Sequence, residues 1–223
     1  MPMSTKAVRL IVKPAVFLAA LIPAAQLAWS AEMGTLGANP LEAVTHGTGD
    51  WTLRFLLMTL SVTPARVLTG WNPIIRFRRM LGLFAFFYAS LHLMTYLWFD
   101  QFFSWPDILR DIPKRPFITV GFAAFLLLGP LAATSTAGMI RRLGGKRWQA
   151  LHRLVYLAAV AGVTHYWWLV KADTSRPRAY ALLLAGLLTL RAGVALRRTR
   201  SHGGDRSVRP AVEPAQAFAP KSS

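Results

Sequence analysis

Six long apolar runs recur along this chain, and that recurrence limits what it can fold into. They lie at about Pro14–Ala31, Trp51–Leu68, Met80–Phe99, Pro116–Ala133, Leu151–Val170 and Ala179–Leu196. At 1.5 Å per residue, a helix made from each would cover a hydrocarbon core of roughly 30 Å. Of 223 residues, 54% are hydrophobic and only 9 are Asp or Glu, too few carboxylates for an ordinary soluble surface. The pattern predicts an all-α membrane protein, a six-transmembrane-helix bundle. Arg54, Pro64 and Arg66 interrupt the second run. Proline is tolerated there only where neighbours re-satisfy the backbone carbonyl it frees.

The net charge of +17 would suit nucleic-acid binding if the basic residues were gathered on a soluble domain, but they lie between the runs. Lys6, Arg9 and Lys13 precede the first; Arg66, Arg76, Arg78 and Arg79 follow the second; Arg141, Arg142, Lys146 and Arg147 follow the fourth; Arg197, Arg198 and Arg200 follow the sixth. The alternate loops carry Glu32, Glu42, Asp50, Asp100, Asp107 and Asp111. By the positive-inside rule both termini are cytoplasmic, and no nucleic-acid partner is expected. The expected organisation is a cytoplasmic segment at 1–13, a six-helix domain at 14–198 and a disordered cytoplasmic tail at 199–223, rich in Pro, Gly, Ala and Ser. The first run ends in AWSAE, which also suits a cleavable signal peptide. Its spanning length favours retention.

There is no cysteine, which removes disulfides, thiolate ligands and iron–sulfur clusters. No P-loop, dinucleotide fingerprint or HExxH occurs, and GGK at Gly144 to Lys146 is a turn that starts the fifth helix. Metal chemistry falls to histidine. His202 lies in the tail and His46 in a loop, so neither is a strong ligand candidate. His92 is about 18 Å into the third run and His165 about 21 Å into the fifth, both counted from the same side. Level imidazoles on parallel helices can present nitrogens to the two faces of a metal-centred ring, and b-type haem is the usual membrane tenant. A bare ion would lack a third ligand. The bland alternatives are a histidine bonded between helices or a proton relay, which would suit a scaffold or a proton-coupled transporter.

His152, 13 positions before His165, is about 20 Å away along a continuous helix, the spacing of a second stacked haem. Its partner positions on the third helix are Arg78 and Arg79. Guanidinium stays protonated and is a poor iron ligand. The inner site is therefore a one-histidine haem, a haem completed by another group, or none. Thirteen steps of about 100° also put His152 out of phase with His165, unless a distortion near Gly162 intervenes. Tyr88 and Tyr96, four residues either side of His92, and Trp168 beyond His165 suit a planar guest.

The stretches RFRRMLGLFAFFYASLHLMTYLW, TSTAGMIRRLGGKRWQALHRLVYLAAVAGVTHYWW and HGTGDWTLRFLLMTLSVTPAR resemble the MsrQ (YedZ) family, from about Leu10 to Leu196. These are membrane haem subunits of a bacterial methionine sulfoxide reductase system. More distantly the chain is similar to the ferric reductase and NADPH oxidase membrane domain. The resemblance implies a cytochrome b of the bacterial inner membrane that carries one or two haems b. Electrons would come from quinol, with FMN as an optional carrier, and pass to a periplasmic molybdopterin enzyme that reduces methionine sulfoxide. It places His92, His152 and His165 on the family's haem histidines, with Arg78 and Arg79 on a basic cofactor-binding rim. Catalysis would belong to the partner, docked on the loops around Trp105 to Arg115 and Lys171 to Arg178.

Overall fold

A computed structural model describes residues 8–204, and they are helical nearly throughout. After a π-turn at Val8–Val12 come α1 (Lys13–Glu32) and α2 (Pro40–Thr69), then a 3₁₀ turn at Asn72–Phe77 and α3 (Arg78–Thr95), which continues as a π-turn at Tyr96–Asp100. The short α4 (Trp105–Lys114) leads to α5 (Pro116–Ala133), the short α6 (Ala137–Leu143) and α7 (Gly145–His152), then α8 (Leu154–Leu169) and α9 (Ser175–Gly204). The predicted runs fall in helical segments, the fifth being divided at Arg153 between α7 and α8. The segment assigned to the tail lies outside the described residues from position 205.

Among the described residues, four helical stretches are long and apolar enough to cross a membrane: Leu10–Glu32, Asn72–Asp100, Pro116–Ala133 and Ser175–Leu196. The other two expected spans depart from that standard for different reasons. The helix α8 is apolar but has only 16 residues, because the chain tightens into 3₁₀ bonds around Arg153. The helix α2 is long but carries Asp50, Arg54 and several threonines. It tolerates them because it is the most enclosed element, with Leu53, Phe55, Leu56, Leu57, Leu60 and Val62 all buried.

The packing is two tight helix pairs, α2 with α3 and α5 with α8, joined where α3 meets α5 and α2 meets α8. The helices α1 and α9 flank this core against α2. Local signals explain the ends. The Asn39 side chain accepts from the Glu42 N–H at 3.2 Å and donates back to its carboxylate at 3.0 Å, opening α2 with Pro40 at its first position. Gly70 closes it at φ 68°, a conformation glycine adopts without a Cβ penalty.

Two backbone defects are repaired by side chains. Pro64 has no N–H for the Leu60 carbonyl, and Arg191 of α9 donates to that oxygen from Nη1 at 2.7 Å. The Arg191 guanidinium also sits 5.1 Å over the Tyr156 ring. In α1 the Tyr88 hydroxyl donates to the Ala20 carbonyl at 2.8 Å and accepts from the Ala24 N–H at 3.0 Å, inserting itself into the helix ladder. Tyr88 is completely buried and stacks on Phe55 at 5.3 Å. It is a packing residue that ties α1 into the bundle, not a wall for a planar guest.

Candidate functional site

The two helix pairs meet on an apolar cavity of about 220 Å³, and His92 and His165 face each other within it, their ring centroids 5.9 Å apart. His92 comes from α3 and His165 from α8, so each pair contributes one imidazole. Leu53, Leu56, Phe122, Phe125 and Leu128 supply much of the lining. Tyr96, Arg115 and Asp50 stand among its polar residues.

Each ring is fixed in the same way by the neighbouring helix of its own pair. The His92 Nδ1–H donates to the Thr45 carbonyl of α2 at 3.0 Å, and the His165 Nδ1–H donates to the Phe117 carbonyl of α5 at 2.6 Å. A carbonyl only accepts, so both protons are on Nδ1 and both Nε2 atoms keep a lone pair. Among the described residues neither Nε2 has a hydrogen-bond partner. An imidazole held at one nitrogen by a backbone carbonyl and open at the other is the ligand geometry that metal centres use.

One helical turn beyond each carbonyl stands a glycine. A Cβ on Gly49 would come 3.2 Å from His92 Cε1, and one on Gly121 would come 2.6 Å from His165 Nδ1. The missing side chains let the rings lie flat against the helix and reach the carbonyl four residues earlier. Carbonyl at i and glycine at i+4 thus recur as Thr45 with Gly49 and as Phe117 with Gly121, one set in each pair. Neither glycine stands out in sequence, since glycine is common in membrane helices and its histidine is more than forty positions away.

Gly162 of α8 has a third role. A Cβ there would lie 3.1 Å from Leu53 Cδ2, so it lets α2 approach α8, and it is not a site of distortion. Tyr96 belongs to the cavity and donates its hydroxyl proton to Asp111 at 3.0 Å. Trp168 is half exposed and lies outside the lining. His46, set aside in sequence, lines the cavity and lies 4.0 Å from Glu42.

His152 is not in this cavity. It ends α7 and stacks on Trp148 at 4.0 Å. The Thr134 hydroxyl donates to the Pro130 carbonyl at 2.7 Å, so at 3.1 Å it accepts from His152 Nε2–H. The 3₁₀ step at Arg153 separates this helix from α8, which makes phase counting from His165 invalid. Half-buried Arg78 lies within electrostatic range of His152, Arg191 and Tyr156, while Arg79 is exposed. The described carboxylates are Glu32, Glu42, Asp50, Asp100, Asp107, Asp111 and Asp173; Asp50 lies inside α2, and the others lie at helix ends, in the short α4 or in loops. Among the described residues, no cluster of three or more His, Cys, Asp or Glu exists to hold a bare ion.

The ferric reductase like transmembrane component family matches residues 48–163. A protein-methionine-sulfoxide reductase heme-binding subunit MsrQ of Herminiimonas arsenicoxydans is 57% identical over 183 residues, 81% of this chain and 84% of that protein. The subunit of the same name from Rhodospirillum rubrum is 58% identical over 190 residues, 84% and 90% of the two chains. That of Azospira oryzae is 55% identical over 206 residues, 91% and 87%. The chain belongs to the MsrQ family. In this MsrQ-family chain the family match takes in α3 with His92 and α7 with His152, and it stops just short of His165.

The residues fit a haem held between His92 and His165. Each ring keeps its Nε2 open, and with ring centroids 5.9 Å apart, metal–imidazole bonds of about 2 Å on each side would suit one metal atom between them. The Gly49 and Gly121 gaps would be filled by any side chain. The cavity is smaller than the roughly 300–1,000 Å³ of typical ligand sites, so seating a macrocycle requires the apolar lining to move aside.

Proposed function

We propose that this chain is the haem b electron-transfer subunit of a methionine sulfoxide reductase system. It would draw electrons from the quinone pool and deliver them across the inner membrane to a periplasmic molybdopterin partner. The observation that carries this reading is the pair of carbonyl-anchored, glycine-backed histidines 5.9 Å apart in an apolar seam. A bound haem there would supply reversible one-electron chemistry. Thr45 and Phe117 hold the proton on Nδ1, which keeps each ligand neutral. Leu53, Phe122 and Phe125 exclude water from the seam.

The same reading counts six spans, with α2 and α8 crossing as enclosed members of the bundle. The basic ends, carrying Arg78, Arg141, Arg142 and Lys146, face the cytoplasm, which puts the His92 and His165 pair toward the periplasm. Half-buried Arg78 lies within electrostatic range of both His152 and Arg191, which makes this end of the bundle cationic. A second haem's propionates or a flavin phosphate would be held there. FMN itself rests on the resemblance.

Reduction of a sulfoxide to the thioether takes two electrons and two protons and releases water, so a single haem must turn over twice per sulfoxide. The test follows absorbance of the quinol-reduced chain in proteoliposomes. Adding the catalytic subunit with an oxidised protein should reoxidise the haem bands continuously, whereas the oxidised protein alone should not. Reoxidation at the same rate without the catalytic subunit would reject this acceptor and favour a direct ferric reductase role.

A further inference from the structure

The short helix α4 separates its residue types into three sectors. With about 100° per residue and Trp105 set at zero, Trp105, Leu109, Pro113 and Pro106 occupy about 0–100°. Arg110, Lys114 and Asp107 follow at about 140–200°, and Asp111, Ile108 and Ile112 at about 240–340°. Exposure follows the sectors. Ile108 is 4% exposed, whereas Trp105 is 63% and Leu109 70%. Asp111 is turned inward, accepting from Tyr96 and pairing with Arg115 Nε at 2.8 Å. Arg110, Lys114 and Asp107 stand exposed. A helix surrounded by water needs two faces; one that rests on protein, lipid and water needs three.

Its surroundings choose lipid for the apolar sector. The helix follows the end of one candidate span at Asp100 and precedes the start of another at Pro116, so it lies where two spans leave the membrane. The span that precedes it ends on exposed apolar residues as well, Met94 and the stacked pair Trp98 and Phe99. In the turn between them, Phe102 and Phe103 take φ of 47° and 55°. Left-handed backbone is costly for a residue that carries a Cβ. Phe102 is 81% exposed, so contacts within the chain return little of that cost, while insertion of the ring among acyl chains would.

We infer that α4 lies in the plane of the bilayer interface on the His92 and His165 side, with Trp105, Leu109 and Pro113 in the lipid. Arg110 and Lys114 face the headgroups and water, and the helix is fastened over the cavity mouth by Asp111. Only the polar sector is then left for a protein partner.

The chain contains no cysteine, so single substitutions can carry a nitroxide without background. The variants L109C, P113C, R110C and K114C are labelled in the full chain, in vesicles of phosphatidylethanolamine and phosphatidylglycerol, with circular dichroism to confirm folding. Collision with oxygen, which concentrates in lipid, should be several-fold higher at 109 and 113 than at 110 and 114. Collision with a water-soluble nickel chelate should show the reverse order. Equal access of the chelate to all four positions would overturn the inference. So would positions 109 and 113 that are chelate-accessible alone and protected only on adding the catalytic subunit, which would make the apolar sector a protein-docking face. Neither readout depends on haem, so the electron-transfer reading stands or falls separately.

Discussion

Each of the two facing histidines has its Nδ1 proton committed to a carbonyl, and the glycine one turn further along permits the approach. This division of labour gives each residue a separate consequence. Gly121→Ala places a methyl 2.6 Å from His165 Nδ1, closer than atoms tolerate, so the ring must leave its carbonyl. Haem bound per chain is expected to fall several-fold, measured by pyridine haemochrome, while helix content is kept. Gly129→Ala in the same helix meets nothing within 4 Å and should leave haem unchanged. Full haem in the Gly121 variant would mean that the ring orientation is not what holds the group. The histidines were legible in the sequence because an imidazole within an apolar run has few cheap explanations. Their glycines were not, because the relation exists only across a helix pair.

At the scale of the element, α2 carries a proline that sequence reasoning treats as an interruption, and the helix passes through it unbroken. The requirement that a neighbour serve the freed carbonyl could be stated from Pro64 alone; that Arg191 meets it, 127 positions on, could not. The argument predicts coupling. Arg191→Leu should destabilise the bundle by about 1–3 kcal/mol, since it strands a carbonyl and removes a charge from the Tyr156 face. In a Pro64→Ala background the restored N–H bonds Leu60, and the same change should cost about 1 kcal/mol less. Chemical unfolding of the four chains in detergent gives the cycle. An unchanged cost in both backgrounds would show that Arg191 acts only through its ring contact or through nearby Arg78. The break at Arg153 was hidden for a related reason: 3₁₀ tightening has no composition signature in LHRLVY.

Across the whole molecule, an all-helical membrane chain was legible from hydropathy, and which helices pair was not. Apolar runs of similar composition do not announce whether α5 packs on α8 or on α9; small residues and aromatic shapes decide that in three dimensions. The pairing explains why the chain has one well-formed histidine pair and a differently built end at His152. At the first, two helix pairs repeat one device, carbonyl plus glycine. At the second, a threonine and a tryptophan occupy His152, with Arg78 within electrostatic range. We propose that His92 and His165 share one haem iron. The most direct measurement is a dithionite-reduced minus oxidised visible spectrum, with haem quantified per chain, on the unmodified protein and on His165→Ala. The account predicts a b-type spectrum that loses one haem equivalent in the variant. An undiminished spectrum in a folded His165→Ala chain, or no haem in the unmodified protein made with haem supplied, would contradict it.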